Sequence, residues 1–129
     1  MADNYDRRFG LDTFELYNCA REFRKNIYKL IRVIHPAERY CLVPQMRRAA
    51  ISISNNIAEG HGRWHYQENI RFCRIARGSV DEIIDDLNIC LDENYADSKR
   101  LEELKEEAKT VIARINSYIA YLRRCQQSD

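Results

Sequence analysis

The sequence predicts an all-α protein, an antiparallel up-down-up-down four-helix bundle that forms one domain over residues 1–129. Two observations predict this fold. Apolar residues recur at steps of three and four along four long segments, which is the spacing of amphipathic helices. Four glycines and two prolines interrupt the whole chain, and so few breakers favour long helices with short links over a turn-rich β fold.

The first helix is predicted to begin at Asp12, whose carboxylate can form a capping box with Glu15. It is predicted to end at Pro36, because the residue before a proline resists the α conformation. Its buried stripe is predicted to consist of Leu16, Ala20, Phe23, Ile27, Leu30 and Ile34.

The second helix is predicted to start near Pro44, where a missing N–H costs nothing, and to stop at Gly60 and Gly62. Its inward face comprises Ala49, Ile53 and Ile57, with Ser52 and Asn56 alongside.

The third helix is predicted from about Tyr66 to Glu93, and the fourth from Asp97 or Ser98. The third has a stripe of Phe72, Ala76, Ser79, Ile83, Leu87 and Cys90. The fourth has a heptad-like seam of Leu101, Leu104, Ala108, Val111, Ile115, Tyr118 and Leu122. We expect residues 1–11 and 126–129 to be flexible.

We expect a cytoplasmic protein that does not associate with membranes. No apolar run approaches the ~18 residues of a spanning helix, and the start MADNYDRRFG lacks the apolar core of a signal peptide. The five cysteines are odd in number and form no C-x-x-C pair, so we expect free thiols that pack as small hydrophobes. They are Cys19, Cys41, Cys73, Cys90 and Cys125.

Charge is distributed unevenly although the net charge is only +1. Residues 1–80 carry 14 Lys and Arg against 8 Asp and Glu, whereas residues 81–129 carry 7 against 12. This asymmetry indicates either a basic face for nucleic acid or two halves that neutralise each other when folded.

A basic stripe on the first helix is the candidate site for RNA or DNA. It spans about 16 Å, a small phosphate footprint unless several copies of the chain combine. A plain solvated face is the alternative. The stripe consists of Arg21, Arg24, Lys25, Lys29 and Arg32.

The segment SISNNIAEGHGRW places small polar residues where a bundle built for stability would have Leu, Ala, Glu or Lys. We expect either a satisfied polar network that fixes helix register or a subunit contact, or else a ligand or nucleic-acid site. Glu59 is expected to form a bidentate pair with Arg47, Arg48, Arg63 or Arg77. The full candidate set is Arg47, Arg48, Ser52, Asn55, Asn56, Glu59, Arg63, Arg71, Arg74, Arg77 and Ser79.

No catalytic site, metal site or cofactor site is predicted. His61 and His65 have metal-ligand spacing, but Gly62 breaks the helix between them, and Glu68 or Cys73 would join them only if the turn folded over. The chain has no phosphate-binding glycine loop and no nucleophile elbow. A carboxylate-rich patch on the third helix is expected to be a solvated face. It consists of Asp81, Glu82, Asp85, Asp86 and Asp92.

The run from Phe14 to about Tyr95 resembles the four-helix bundle family of 23S rRNA intervening-sequence proteins. The matching residues include IYKL, the His-Pro before Glu38, QMRRAAISISNNIAEGHGR, Glu68, Arg71-Phe72 and IARGSVDE. The chain departs from the family at Cys41, where Gly is usual, and at Cys73, where Leu is usual.

The resemblance implies a homo-oligomeric bundle, typically a ring-like pentamer, without established enzymatic activity. A related bundle serves diversity-generating retroelements by binding the reverse transcriptase and nucleic acid. We therefore expect a non-enzymatic bundle that binds nucleic acid electrostatically, as an RNA binder or as a reverse transcriptase accessory. The alternative is a protein-interaction or assembly module that binds no nucleic acid.

Overall fold

The computed structural model describes residues 10–128 and confirms the all-α bundle. Its helices are α1 (Glu15–Ile31), α2 (Leu42–His61), α3 (Tyr66–Asp92) and α4 (Ser98–Ser128), with short 3-10 helices at Leu11–Thr13 and Pro36–Glu38. Each long helix packs against the next along the chain, and α1 also packs against α4, which closes the bundle.

The predicted apolar stripes form the core, which confirms the helical periodicity read from the sequence. Two predicted members are only half-buried at its edge: Phe72 on α3 and Tyr118 on α4. Ile119, one residue after Tyr118, is buried instead. The largest fully buried side chains are Phe23, Ile27, Met46, Ile53, Ile57, Ile70, Val80, Ile83, Leu87, Leu101, Leu104 and Ile115.

The predicted start of the first helix at Asp12 is wrong by three residues, because α1 begins at Glu15. Asp12 lies in the preceding 3-10 turn, and the N-cap residue is Phe14, which makes no side-chain cap. The Phe14 ring is buried and packs against the rings of His61 and Tyr118 at centroid distances of 4.8 and 5.0 Å. Tertiary packing of this ring therefore sets where the helix begins, in place of a capping box.

The first helix also ends earlier than its pattern predicts. Regular α geometry stops at Ile31, although Ile34 is still buried. Pro36 then opens the second 3-10 helix, and His35 caps it by accepting a hydrogen bond from the Ala37 amide through Nδ1 at 3.1 Å. The proline thus organises the link to α2 and does not itself terminate α1.

The turn between α3 and α4 depends on a left-handed residue, Asn94, with φ of 56°. The Tyr95 amide donates to the Cys90 carbonyl at 2.9 Å, and the Asn94 amide donates to the Leu91 carbonyl at 3.4 Å. This pattern is a Schellman C-cap, in which asparagine is the commonest substitute for glycine.

The fourth helix begins at Ser98, as predicted, and Asp97 caps it by accepting from the Arg100 amide through Oδ2 at 3.1 Å. The helix continues through Ser128, so residues 126–128 occupy its last turn. Residues 1–9 and residue 129, for which we also expect flexibility, lie outside the described residues.

The five cysteines are free thiols, as predicted. Cys73 and Cys90 are buried, and burial raises the pKa of their thiols to about 12 and about 11, so both stay protonated at neutral pH. Cys19 and Cys125 are half-buried. Cys41 is exposed, so the prediction that it packs as a small hydrophobe is wrong.

Candidate functional site

Three of the predicted polar residues meet between α2 and α3. The Oγ atoms of Ser52 and Ser79 lie 2.8 Å apart, and the Asn56 amide nitrogen donates to the Ser52 carbonyl and to Ser52 Oγ at 2.8 and 3.0 Å. Ser79 Oγ also donates to the Ile75 carbonyl at 3.3 Å. These small side chains hydrogen-bond to one another, and the Ser52–Ser79 contact links the two helices.

The helices approach closely one turn further on, at Gly60. A Cβ atom at this position would lie 2.6 Å from Asn69 Oδ1 and 3.0 Å from Phe72 Cβ. Asn69 is buried and donates to the Tyr118 hydroxyl at 3.0 Å, which ties α3 to α4. We call Ser52, Asn56, Gly60, Asn69 and Ser79 the polar junction.

Glu59 pairs with Arg63 among its four predicted arginine partners. Arg63 Nη2 lies 2.8 Å from Glu59 Oε2 in an i, i+4 contact, and the bond uses one carboxylate oxygen. This geometry differs from the predicted bidentate pair. Arg63 Nη1 is also 3.8 Å from Glu68, and its guanidinium lies over the Phe72 ring at 5.1 Å.

The other predicted arginines point to different surroundings. Arg77 donates to Asn116 on α4 at 2.6 Å. Four candidates are exposed and make no side-chain hydrogen bond to another residue of the described chain, so they do not belong to the junction; they are Arg48, Asn55, Arg71 and Arg74.

Arg47 does not join the junction either, because it lies on the α1 side of α2, where its guanidinium is 4.9 Å from the Tyr28 ring centroid. From α1, Arg24 Nη1 donates to Ser54 Oγ on α2 at 2.8 Å. These two contacts define the α1–α2 seam, where cations of both helices come together. We call the seven residues Arg21, Arg24, Lys25, Lys29, Arg32, Arg47 and Arg48 the basic face.

Six of these seven cations have no carboxylate within 4.0 Å among residues 10–128; the seventh, Lys25, lies 3.1 Å from Glu22. On α4 the pattern is different, because Arg100, Lys105 and Lys109 each lie 2.9 to 3.7 Å from a glutamate on the same helix. The other four cations of α4, Lys99, Arg114, Arg123 and Arg124, have no carboxylate within 4.0 Å among residues 10–128, so pairing with carboxylates is more frequent on α4 than on the basic face but is not complete there.

The sequence profile of the family described as 23S rRNA-intervening sequence protein matches residues 12–117. The chain belongs to this family. A similar fold occurs in a crystal structure of a protein with unknown function from the S23 ribosomal protein family of Bacteroides thetaiotaomicron. The two chains are 19% identical, with a TM-score of 0.75 over 81% of this chain and 97% of the other, which shows a common fold. A comparison with curated proteins gave no match.

The acidic residues of α3 in this intervening-sequence protein form an exposed patch, with one exception. Asp81, Glu82, Asp85 and Asp92 are exposed, as predicted. Asp86 is fully buried, so the prediction that it belongs to a solvated face is wrong. Its position three residues after Ile83 and four before Cys90 places it on the buried stripe. This spacing indicates burial, although the charge of the residue favours exposure.

Hydrogen bonding compensates only in part for the burial of the Asp86 carboxyl group. Gln45 on α2 donates to Oδ1 at 2.7 Å, whereas Oδ2 has no hydrogen-bond partner in the structure. Burial is the largest cause that raises the pKa of the Asp86 carboxyl, the nearby Asp85 and Glu82 charges raise it as well, and the Gln45 hydrogen bond lowers it; together they bring the pKa to about 6. No pattern in the sequence singles out Gln45, which is exposed apart from this contact.

The histidines of this family member do not meet as a metal site. His61 stacks on Phe14, whereas His65 is exposed at the start of α3. Within residues 10–128 no group of three His, Cys, Asp or Glu side chains is placed to hold a metal ion. No helix in the described part of the chain has the length and apolar character needed to span a bilayer.

Proposed function

We propose that this chain binds the phosphate backbone of nucleic acid through the basic face on α1 and α2. The observation that carries the proposal is the absence of carboxylate partners for six of its seven cations within residues 10–128. A cation that already pairs with a carboxylate must exchange that partner for a phosphate, so the exchange adds little binding free energy. An unpaired cation makes no such exchange, and its contact with a phosphate releases a counterion from the nucleic acid.

The size of the face fits a modest nucleic-acid footprint. From Arg21 to Arg32 the stripe covers about 16 Å of helix, a length of duplex that carries about nine phosphates. Arg47 widens it across the seam. If about five phosphates are contacted, the logarithm of the binding constant should fall with the logarithm of salt concentration with a slope of about −4.5.

The rest of the surface directs binding to this face. The net charge is only +1, so the chain as a whole does not attract a polyanion. The acidic patch of Asp81, Glu82, Asp85 and Asp92 lies on the outer side of α3 and repels phosphates. Attraction is therefore local, which supports a defined orientation of the nucleic acid along the α1–α2 seam.

The direct test is a fluorescence anisotropy titration of the chain with a structured RNA, between about 50 and 200 mM salt. The variant Arg21→Gln with Arg32→Gln should weaken binding and reduce the salt slope by about two. The matched control, Arg71→Gln with Arg74→Gln, removes the same charge from α3 and should leave binding nearly unchanged. No binding at the lowest salt would refute the proposal, and equal losses in both pairs would refute the assignment to α1 and α2.

The second candidate function is assembly with further copies of the chain through the outer surface of α3. One observation favours it: the large apolar side chain of Ile75 is 43% exposed, and a Cβ built at Gly78, three residues on, meets nothing within 4 Å, so a second chain could approach the helix here. Light scattering on Ile75→Glu tests it, with Val33→Glu in the turn after α1 as the control. Loss of an oligomer in the first variant alone, at unchanged helicity, supports assembly, and a monomeric wild-type chain contradicts it.

A further inference from the structure

The two most exposed of the large apolar side chains in the described chain lie in the link between α1 and α2. Tyr40 is 89% exposed and Val33 is 69% exposed. Among residues 10–128 the Tyr40 side chain has no hydrogen-bond partner and makes no ring or cation–π contact. Both faces of its ring are therefore accessible to a ligand.

The backbone that carries Tyr40 is anchored to the bundle. The Cys41 amide donates to the Glu38 carbonyl at 3.1 Å, and the Glu38 carboxylate accepts from the Tyr95 hydroxyl at 2.8 Å. The second bond joins this link to the residues between α3 and α4. An aromatic side chain on an anchored backbone has little freedom to lose on binding, because only its two side-chain torsions must be fixed.

Tyr40 lies at the end of the bundle where the basic stripe of α1 finishes. The Arg47 guanidinium is 4.9 Å from the Tyr28 ring centroid, so these two residues lie near one level along the bundle axis. Arg32 follows Tyr28 by four residues, about 6 Å along α1. Leu42, the first residue of α2, precedes Arg47 by five residues, about 7.5 Å in the same direction because the two helices are antiparallel. Tyr40, two residues before Leu42, therefore lies near the level of Arg32.

The two arginines of the link have no carboxylate partner. Arg39 is adjacent to Tyr40 in the chain, and Arg32 closes the stripe that begins at Arg21. Neither Arg39 nor Arg32 has a carboxylate within 4.0 Å among residues 10–128. Proteins hold single-stranded nucleic acid with this combination, because cations follow the phosphates while an aromatic ring stacks on a base.

The aromatic rings along the stripe itself are covered. The Arg21 guanidinium lies over the Tyr17 ring at 5.7 Å from its centroid, and the Arg47 guanidinium lies over the Tyr28 ring at 4.9 Å. Both tyrosines are half-buried and pack against the core. A base would have to displace a guanidinium to stack on either ring. Stacking on Tyr40 displaces no contact within the described chain.

Resting on the proposed function, we infer that the nucleic acid carries unpaired bases, and that one of them stacks on Tyr40 while the phosphates lie along the α1 stripe. Every base has a π-face, so this contact adds affinity without reading sequence. Bases inside a duplex are stacked on one another and offer no face to the ring, so the ligand has a single-stranded segment.

A membrane surface suits this end of the bundle less well. Binding at a bilayer interface scales with the apolar area that is buried, and it needs a helix face of large apolar side chains. Here the outer side of α1 carries the basic stripe, and the link exposes two large apolar side chains, Val33 and Tyr40. The Tyr40 ring is therefore better suited to a base than to acyl chains.

The test compares two single strands of equal length and charge by fluorescence anisotropy at one salt concentration. One is a DNA of about ten thymidines, and the other has the same sugar-phosphate backbone with abasic sites throughout. The wild-type chain should bind the thymidine strand about tenfold more tightly, from the stacking of one base. Equal affinities would overturn this inference and leave the proposed function standing, because phosphate contacts are common to both strands. No binding of either strand at low salt would overturn both.

Two substitutions at Tyr40 separate stacking from other contacts. Tyr40→Ala should lower the affinity for the thymidine strand about tenfold, to the value of the abasic strand, and leave the abasic affinity and the salt slope unchanged. Tyr40→Phe keeps the ring and should keep the wild-type preference. The inference is overturned by an equal loss on both strands in Tyr40→Ala, or by a loss in Tyr40→Phe as large as in Tyr40→Ala. Circular dichroism should show an unchanged bundle in both variants, because this exposed side chain supports no core packing.

Tyr121→Ala is the matched control at the opposite end of the bundle. Tyr121 is 44% exposed on α4 and stacks on Tyr118, which packs against Phe14 at the start of α1. Its removal should leave both affinities unchanged, and a loss equal to that of Tyr40→Ala would overturn the assignment to the link. Co-sedimentation with vesicles of phosphatidylcholine and phosphatidylserine tests the membrane alternative, and no binding is expected. Vesicle binding that Tyr40→Ala abolishes would assign the ring to a lipid surface and overturn the inference.

Discussion

Two polar regions lie on the same α2–α3 interface and are partnered in different ways. In the polar junction, Ser52, Asn56 and Ser79 form a closed set of hydrogen bonds of 2.8 to 3.0 Å. Asp86 lies seven residues after Ser79, on the same side of α3, and has one hydrogen bond at Oδ1 and none at Oδ2. Ser79 and Asp86 are both buried, so these two residues differ in how well each polar atom is compensated.

This difference predicts opposite effects on stability. A satisfied buried hydrogen bond contributes about 0.5–1.5 kcal/mol and fixes the relative position of two helices. A buried carboxylate with an uncompensated oxygen costs free energy whenever it is ionised. Small neutral residues therefore stabilise the interface at the junction, whereas the charged residue at Asp86 weakens it above its pKa. The three predictions that follow test this contrast, from the largest effect to the smallest.

The largest effect is expected for Gly60→Ala, which should lower the free energy of unfolding by about 1–3 kcal/mol through overpacking. The new Cβ would lie 2.6 Å from Asn69 Oδ1, 3.0 Å from Phe72 Cβ and 3.2 Å from the Asn69 carbonyl oxygen. Because one of these atoms is backbone, α2 and α3 must move apart. Urea denaturation followed by circular dichroism measures the change.

The matched control is Gly78→Ala, the same substitution inside α3. A Cβ at Gly78 meets no atom within 4 Å, so the variant should be more stable by about 0.5–1 kcal/mol from helix propensity alone. Opposite signs for the two glycines would establish that the close approach is confined to the junction. If Gly60→Ala were stabilising as well, the junction would not hold the backbones together.

The next effect is the pH dependence caused by Asp86. Its pKa is about 6 in the folded chain against an ordinary value of 3.8, so between these pH values the folded chain binds more protons than the unfolded chain. The stability that this group contributes is present below about pH 4, is lost as pH rises through about 6, and stays lost above that. At about 1.4 kcal/mol per pKa unit, the loss is about 1–3 kcal/mol.

Asp86→Asn removes the charge at similar size, and Asp86→Leu also removes the uncompensated oxygen. Both variants should show a smaller change in the free energy of unfolding between about pH 4 and 7 than the wild type. At neutral pH, Asp86→Leu should be more stable than the wild type by about 1–3 kcal/mol. Asp92→Asn, on the exposed side of α3, is the control and should retain the wild-type profile. Equal pH profiles for wild type and Asp86→Asn would show that Asp86 ionises normally.

The features that the sequence predicts correctly are those that depend on the geometry of a single helix. Apolar residues at steps of three and four predicted the buried stripes, because that period depends only on helix geometry. The prediction from sequence failed at the start of α1, because the position of Phe14 is fixed by the rings of His61 and Tyr118, which are distant in sequence. The residue at which α1 begins is therefore determined by tertiary packing and not by the local sequence.

The candidate site was predicted in outline for the same reason. Helical spacing placed the basic residues of α1 on one stripe, but it could not show that Arg47 crosses the seam to lie on Tyr28. Four arginines were candidate partners for Glu59, and the one that pairs, Arg63, is the one at i+4 on the same chain segment. The prediction that Asp86 is exposed was wrong because it followed the charge of the residue and not its helical spacing from Ile83 and Cys90.

The smallest effect, and the one that separates the two regions most directly, is expected at Ser52 and Ser79. Ser52→Ala and Ser79→Ala should each lower the free energy of unfolding by about 0.5–1.5 kcal/mol, the net value of one hydrogen bond. Because their Oγ atoms share one contact of 2.8 Å, the double variant should cost less than the sum of the single variants, with a coupling of at least about 0.5 kcal/mol. Ser117→Ala, on the exposed side of α4, is the control and should change stability by less than about 0.5 kcal/mol. Additive effects at Ser52 and Ser79 would mean that water satisfies both hydroxyls. The polar junction would then differ from Asp86 in charge alone and not in how its atoms are partnered.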